Sequence, residues 1–446
     1  MKLKVYLICM LTVFLIFGIA GCGGRSDSDY KPEPTATKDG EHVKNEVVYQ
    51  KAPVLTGDSA VYNIMDFGAA GNGRIDDTQA IREAIAYAAA AGGGTIYFPE
   101  GKYKVNEPIR IAAEGAGTIT LAGDPNRMRE TVIQSGPVVG GDLFVIERPD
   151  VHISYLSLKN NASEGSVLEL ASERSVITEC TFLQGNQKNR DTAVVVSGSD
   201  NYIGSCYFGP GTTNGYIVRF TKKTGREMKC NTLADSYFGG NLPHSVLIDS
   251  EDSGSCPREI HILRNVFLFP APGQVYIKAV DGCVIQNNML DAATTAILLN
   301  PDENGIQNVD IRYNYMGSKN KDITGYEERT DMPGGVVTDV SGGGTITGVT
   351  ITDNYFWGYY GVRITSSKFT DFSIINNYFV ESNGASIYIT DSVRNTIEGN
   401  IVYCGSEALY SVFIGALDEE TVLRYNVISG ACWIPNAEKY QQDNFF

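Results

Sequence analysis

The sequence predicts an all-β fold, a right-handed parallel β-helix of about eleven coils with one capping helix at its N-terminal end. Three observations carry that reading. A short pattern recurs along the chain: a β-rich run, then Asn or a small residue, then an apolar or aromatic pair. Its pivots are Leu156, Cys180, Cys206, Ser236, Asn265, Asn288, Asn314, Asn354, Asn377, Asn400 and Asn426, spaced 23 to 30 residues apart except for one gap of 40. The last seven pivots are all Asn. One coil takes about two dozen residues and stacks on the next at about 4.8 Å, so an inward Asn at the same turn of each coil can bond the coils above and below. A second strand aligns upstream of each pivot, over 193–198, 217–222, 245–250, 274–279, 296–301, 335–340, 361–366, 386–391 and 411–416. Alternation turns Val246 and Ile248, Val275 and Ile277, and Val362 and Ile364 inward. Such a solenoid also accommodates 446 residues without an oversized core, because each coil packs only on its neighbours.

The elements follow in chain order. Lys2 and Lys4 precede an apolar stretch over 5–19 that ends in Ile19-Ala20-Gly21-Cys22, a pattern similar to a bacterial lipobox. Residues 1–21 are expected to be a signal peptide, Cys22 the lipidated residue and 22–58 a polar, flexible tether containing Pro32, Pro34 and Gly40. The protein is thus expected outside the cytoplasm, at the cell surface or facing the periplasm, touching the membrane only through its lipid. The remaining residues, 59–446, form a single domain. Its first block runs from Val61 through Gly68 and Gly71 to Asp77 and Thr78, either of which suits a helix N-cap. Ala80, Ile81, Ala84, Ile85 and Ala88 give the apolar stripe of a helix over 77–91, which Gly92-Gly93-Gly94 stops. Residues 95–99 then read as a strand.

This block resembles the N-terminal cap of the pectate-lyase-like superfamily, which includes rhamnogalacturonase-like proteins, pectate lyases and mannuronan epimerases. The resemblance implies that the outward face of the aligned strands lines a substrate groove. Two specific signatures are missing. The paired-Asp and Gly-His-Gly motifs of the polygalacturonase-like branch are absent from the groove coils, and the Asp-Pro-His tract of the epimerase branch is replaced by Leu242-Pro243-His244.

Charge and composition narrow the chemistry. A net charge of −16 excludes an ordinary nucleic-acid binder and leaves room for Ca²⁺. The outward column reads Ser197, Thr221, Asp249, Lys278, Asn300, Asp339, Thr365, Thr390, Gly415, and its companion reads Val195, Arg219, Leu247, Tyr276, Leu298, Val337, Arg363, Tyr388, Phe413. Long turns over 250–259 and 317–334 flank one stretch of this face, which places the groove centre at Asp249, Lys278, Asn300 and Asp339. The expected partner is an extracellular, uronate-containing polysaccharide acted on by a monomer.

For β-elimination, Lys278 is the candidate base, Arg219 and Arg363 are charge clamps, and Asp249, Glu251, Asp302 and Asp339 offer oxygen ligands for Ca²⁺. The basic loop Lys222, Lys223, Arg226 and Lys229 suits a polyanion. For hydrolysis, Asp302 and Asp339 on neighbouring coils are the carboxyl pair. Arg219, Tyr276, Asn300, Tyr326 and Tyr388 are the expected substrate contacts, with Trp357, Tyr359 and Tyr360 as further stacking surfaces. Elimination is placed ahead of hydrolysis, and a non-catalytic, glycan-binding or adhesive role stands as the other class. Cys230 with Cys256, and Cys404 with Cys432, fall in corresponding turns where a disulfide is open outside the cytoplasm.

Overall fold

The computed structural model describes residues 60–446 except 113, 128, 137–139, 187, 188, 190, 210–214, 240–243, 269–271, 292–294, 318–333, 359, 360, 383, 405–409, 416–419, 437–442 and 446, and except the side chains of His244, Pro272, Glu381 and Cys404. The expected signal peptide, tether and Cys22 lie outside the described residues. So do Tyr326, Tyr359, Tyr360, most of the 317–334 turn, and the Cys404 and His244 side chains.

The chain winds as a right-handed parallel β-helix. Three sheets of 14, 14 and 13 strands run its length, all paired in parallel. One coil shows the plan: His244–Ser250 belongs to sheet C, Arg258–Leu263 to sheet A and Val266–Leu268 to sheet B, after which Pro272–Ile277 returns to sheet C. The inward residues of sheet C are closed to solvent, with Val246, Ile248, Val275, Ile277, Val362 and Ile364 all at 0% exposure. In sheet B, Phe182, Phe208, Phe238 and Phe267 form an internal stack with ring centroids 5.2, 4.6 and 4.5 Å apart. Sheets A and B begin with strands well before Leu156, so the pivot pattern marks only the coils that carry it.

Every pivot occupies the second place of a two-residue bend between sheets A and B, as Asn265 does between Leu263 and Val266. The residue before each pivot is left-handed: Tyr155, Glu179, Ser205, Asp235, Arg264, Asn287, Tyr313, Asp353, Asn376, Gly399 and Tyr425 have φ between 51° and 66°. For a non-glycine residue that conformation costs roughly 1–2 kcal/mol. The ladder offsets it. The Asn265 N–H donates to Asn288 Oδ1 at 2.8 Å, and Asn288, Asn314, Asn354, Asn377 and Asn400 each donate to the next Asn at 2.9–3.0 Å. Each amide nitrogen also bonds a strand carbonyl of the coil before, as Asn288 Nδ2 does to Ile262 O at 2.8 Å. Ser236 joins the column through its hydroxyl, which accepts the Cys206 N–H at 3.1 Å. Asn444 ends the ladder, accepting the Asn426 N–H at 3.0 Å.

The cap departs from expectation in one respect. Helix α1 (Thr78–Ala90) forms, with Ile81, Ala84, Ile85 and Ala88 buried against the first coils, and Asp77 is its N-cap by position. Its carboxylate does not cap the helix, however. It accepts from the Ala70 N–H at 2.6 Å and the Lys104 N–H at 3.2 Å. The buried carboxylate thereby ties the entry loop to the first coil, which satisfies two backbone donors far apart in sequence. Cys230 and Cys256 are free thiols, so that pair forms no bridge; Cys230 instead donates to Glu259 at 2.8 Å.

Candidate functional site

The outward columns of sheet C align as expected. Strand pairing runs Glu169, Val195, Arg219, Leu247, Tyr276, Leu298, Val337, Arg363, Tyr388, Phe413 without a slip in that column. Thr221 pairs with Asp249. Lys278, Asn300 and Asp339 each follow the last residue of a strand, and their N–H groups bond the preceding coil at Ile248 O (2.8 Å), Ile277 O (2.9 Å) and Leu299 O (2.9 Å). The four centre residues therefore share one face, one rung apart.

Their partners differ from the sequence reading. Arg219 reaches diagonally to Asp249, with Nε 3.0 Å from Oδ1 and Nη2 2.8 Å from Oδ2, and its Nη2 lies 2.9 Å from Glu251 Oε1. This two-pronged contact to a residue only 8% exposed takes Arg219 out of use as a free clamp. Asp249 and Glu251 already face a guanidinium, and among the described residues no three His, Cys, Asp or Glu side chains converge as a metal cage. The basic loop is likewise taken up by internal partners: Lys222 by Asp252, Lys223 by Glu169, Lys229 by Glu227, and Arg226 by the Ala171 carbonyl.

The centre is built on Asn300. Its amide donates to the Tyr276 hydroxyl and to Ser341 Oγ, both at 3.0 Å, and its oxygen accepts the Gly342 N–H at 2.7 Å. It thus pins the turn that carries Asp339, whose own Oδ1 accepts the Ser341 N–H at 2.8 Å. Lys278 Nζ lies 5.3 Å from the centroid of the Tyr276 ring, within cation–π range. Burial, and then the charges of Asp339, Asp249 and Asp302, push the Tyr276 hydroxyl up from its ordinary value, against the Asn300 hydrogen bond. Burial also pushes the Asp302 carboxyl up, with Asp249 adding to the shift, while the Asn304 N–H at 2.8 Å and the charge of Lys278 oppose it. Three carboxyl groups thus surround the Tyr276–Asn300 pair.

An open cleft of about 390 Å³ adjoins this centre, lined by Ser250, Glu251, Asp252, Ser253, Asp302, Glu303, Asn304 and Gly342. The two turns that form it are joined by the Gly254 N–H to Asn304 Oδ1, at 2.7 Å. Ser341, Glu303 and Asn304 were not singled out from sequence; the signal available was the clustering of Asp, Glu, Ser and Asn in two successive coil turns.

Farther along the face, Arg363 lies 5.7 Å from the Tyr388 ring centroid and Phe413 stacks at 4.9 Å from the same ring. The Tyr388 ring is therefore flanked by Arg363 and Phe413. Arg363 Nε is buried without a hydrogen-bond partner among the described residues. Arg363 stands three rungs from the Lys278 coil, about 14 Å by strand spacing, too far to act on the same sugar.

Known proteins share this architecture. The pattern of the family described as rhamnogalacturonase A/epimerase, pectate lyase-like, matches residues 61–236, and that of the periplasmic copper-binding protein NosD family matches 258–423. Alginate lyase 7 of Azotobacter vinelandii is 58% identical over 45 residues, 10% of this chain and 5% of that protein, so the chain spans a small part of the relative's length. The A-module of mannuronan C-5 epimerase AlgE6 of Azotobacter vinelandii superposes with a TM-score of 0.50 at 16% identity, covering 82% of this chain and 99% of that one. The catalytic domain of a GH87 α-1,3-glucanase variant in complex with nigerose gives a TM-score of 0.54 at 12% identity, covering 78% and 66%. At such identities the superpositions establish the fold. The first coils thus carry the pattern of the rhamnogalacturonase A/epimerase, pectate lyase-like family, and the whole chain shares the right-handed parallel β-helix fold of these proteins.

Proposed function

We propose that the sheet C face cleaves an extracellular polysaccharide, with Asp302 as general acid and Asp339 as the partner carboxylate. One observation carries this reading: Asp302 stands on the wall of the cleft with its carboxyl held up by burial and by the charge of Asp249. A raised carboxyl is what protonation of a glycosidic oxygen requires near neutral pH. Asp339 lies on the next coil, in register with Asn300 and about 4.8 Å along the axis, which puts the second carboxylate of the pair on the same face. Asp302 gives its proton to the leaving oxygen as the glycosidic bond breaks, while Asp339 either takes a proton from the attacking water or attacks the sugar itself. Asn300 and Tyr276 hold the two turns in register. Lys278 holds a sugar carboxylate or hydroxyl against the Tyr276 ring.

Elimination is the second reading. Lys278 favours it, having no acidic partner at ion-pair distance among the described residues. It has lost ground because Arg219 is occupied and Arg363 is remote, leaving one cation where that chemistry needs a base together with charge neutralisation. The lipobox-like segment supports placing the protein outside the cytoplasm on a lipid at Cys22. Among the described residues no helix is long and apolar enough to cross a membrane.

Incubation with a panel of polysaccharides that includes polymannuronate separates these readings. Hydrolysis gives new reducing ends without unsaturated-uronate absorbance, and Asp302→Asn abolishes them. Elimination gives that absorbance and loses it in Lys278→Ala. Binding without any product would leave the adhesive class.

A further inference from the structure

We infer that the groove is closed at its N-terminal end and receives a polymer by its chain end. This rests on the proposal that the groove binds a polysaccharide, and concerns how the chain enters. The closing element is the segment from Lys222 to Lys229, which leaves sheet C after Tyr216–Lys222 and leads to sheet A at Thr232–Ala234. Instead of turning directly, it folds back past the coil of Val194–Val196 to the coil of Leu168–Leu170. Lys223 ion-pairs with Glu169 there, and Arg226 Nη1 donates to Ala171 O at 2.8 Å. These contacts skip a whole coil, a span of about 10 Å along the axis.

Glu169 belongs to the same outward column as Val195 and Arg219, so the Lys223 contact crosses the groove floor. On the coils that this contact passes, Ser197 and Thr221 are both 0% exposed, and their hydroxyl oxygens have no hydrogen-bond partner among the described residues. These are positions of the face that farther along carries Asp249, Lys278, Asn300 and Asp339.

The strap is anchored from both sides. Met228 is buried to 1% exposure, the Ser199 hydroxyl donates to Glu227 O at 3.1 Å, and Lys222 Nζ lies 2.8 Å from Asp252 Oδ2, on the wall of the cleft. The half-buried Asp142 adds negative charge near Glu169, which Lys223 offsets. A linear polymer lying along the columns meets this strap immediately N-terminal to Arg219. In the other direction the face continues past Arg363, Tyr388 and Phe413 to Trp433, which is 53% exposed. A chain therefore runs no farther than Arg219 toward the N-terminus, and among the described residues no segment crosses the face in the other direction.

The test counts protein molecules bound per chain on size-fractionated polymannuronate of about 20 and about 100 sugars, using the full chain carrying Asp302→Asn, and compares product lengths from the active protein. Chain-end entry gives the same number bound per chain at both lengths, and small products from the first minutes with little fall in viscosity. Lys223→Ala with Arg226→Ala then shifts the active protein toward internal cuts, with a several-fold greater viscosity drop per bond cleaved. Binding that rises about fivefold with length, or long products from wild-type protein, overturns the chain-end inference and leaves the function proposal standing. Failure to bind or cut any polymer in the panel overturns the function proposal and this inference with it. The wild-type readouts decide the matter even if the double variant does not fold.

Discussion

The bend between sheets A and B and the outward face of sheet C are built on the same repeat, and they treat it in opposite ways. At the bend, seven successive coils place the same amide in the same environment, and each Asn bonds the coils on both sides. On the sheet C face the corresponding residues change at every rung from Asp249 to Lys278, Asn300 and Asp339. A solenoid keeps one residue at a site when its task is to join coils. It varies the residue where neighbouring rungs must present different groups to something outside. Repetition marks the frame, and its interruption marks the candidate site.

The sharpest way to break this contrast is Asp302→Asn. It should lower cleavage by about 10²–10⁴-fold and leave unfolding free energy within about 0.5 kcal/mol, because an amide oxygen can still accept the Asn304 N–H. Turnover and urea unfolding measured side by side would refute the assignment if activity persisted.

Asn314→Ala should do the reverse. It leaves the Asn288 N–H and the Ile285 carbonyl without their partners and costs about 3 kcal/mol in unfolding measurements. Turnover by the folded fraction should be unchanged. A stable Asn314→Ala protein would mean that strand packing alone holds the bend.

Arg219→Ala tests the border between the two regions. Asp249 is then left buried beside Glu251 without its cation, at a cost of about 2 kcal/mol, and adding Asp249→Asn should recover most of it. A double-mutant cycle with no coupling would show that the pair is incidental.

The smallest effects are in pH dependence. Hydrogen bonds and charge from Arg394, at 2.7 Å from both carboxylate oxygens, hold Asp371 well below its ordinary value despite some burial. Its contribution is present above the unfolded-state value and is lost as pH falls through the folded one. Burial raises Asp142 instead. Its contribution is present below the unfolded-state value and is lost as pH rises through the folded one. Asp371→Asn should therefore flatten the acid limb of a Tm–pH curve by a degree or two, and Asp142→Asn should raise Tm slightly near neutrality. The opposite pattern would reject both assignments.

The fold was legible because the coil length and the Asn pivots recur. The left-handed bend residues were not, since Tyr155, Glu179, Ser205 and Arg264 share no side-chain property; the constraint acts on their backbone. Asn444 was missed because it lies only 18 residues beyond Asn426, outside the period. The alignment of Asp249, Lys278, Asn300 and Asp339 followed from strand alternation alone. Which of them would be free to meet a substrate did not follow. Arg219 chooses Asp249 diagonally across a rung, and Lys223 skips a coil to reach Glu169.

The sequence by itself determined the winding, the capping helix and which residues share a face, because these depend on periodicity and on burying every second side chain. The tertiary structure alone decided which charges cancel, which carboxyl is raised and where the groove is closed. Those depend on distances between side chains of different coils, and a spacing of about 4.8 Å lets a long Lys or Arg reach any of several partners. No pattern along the chain records which one it takes.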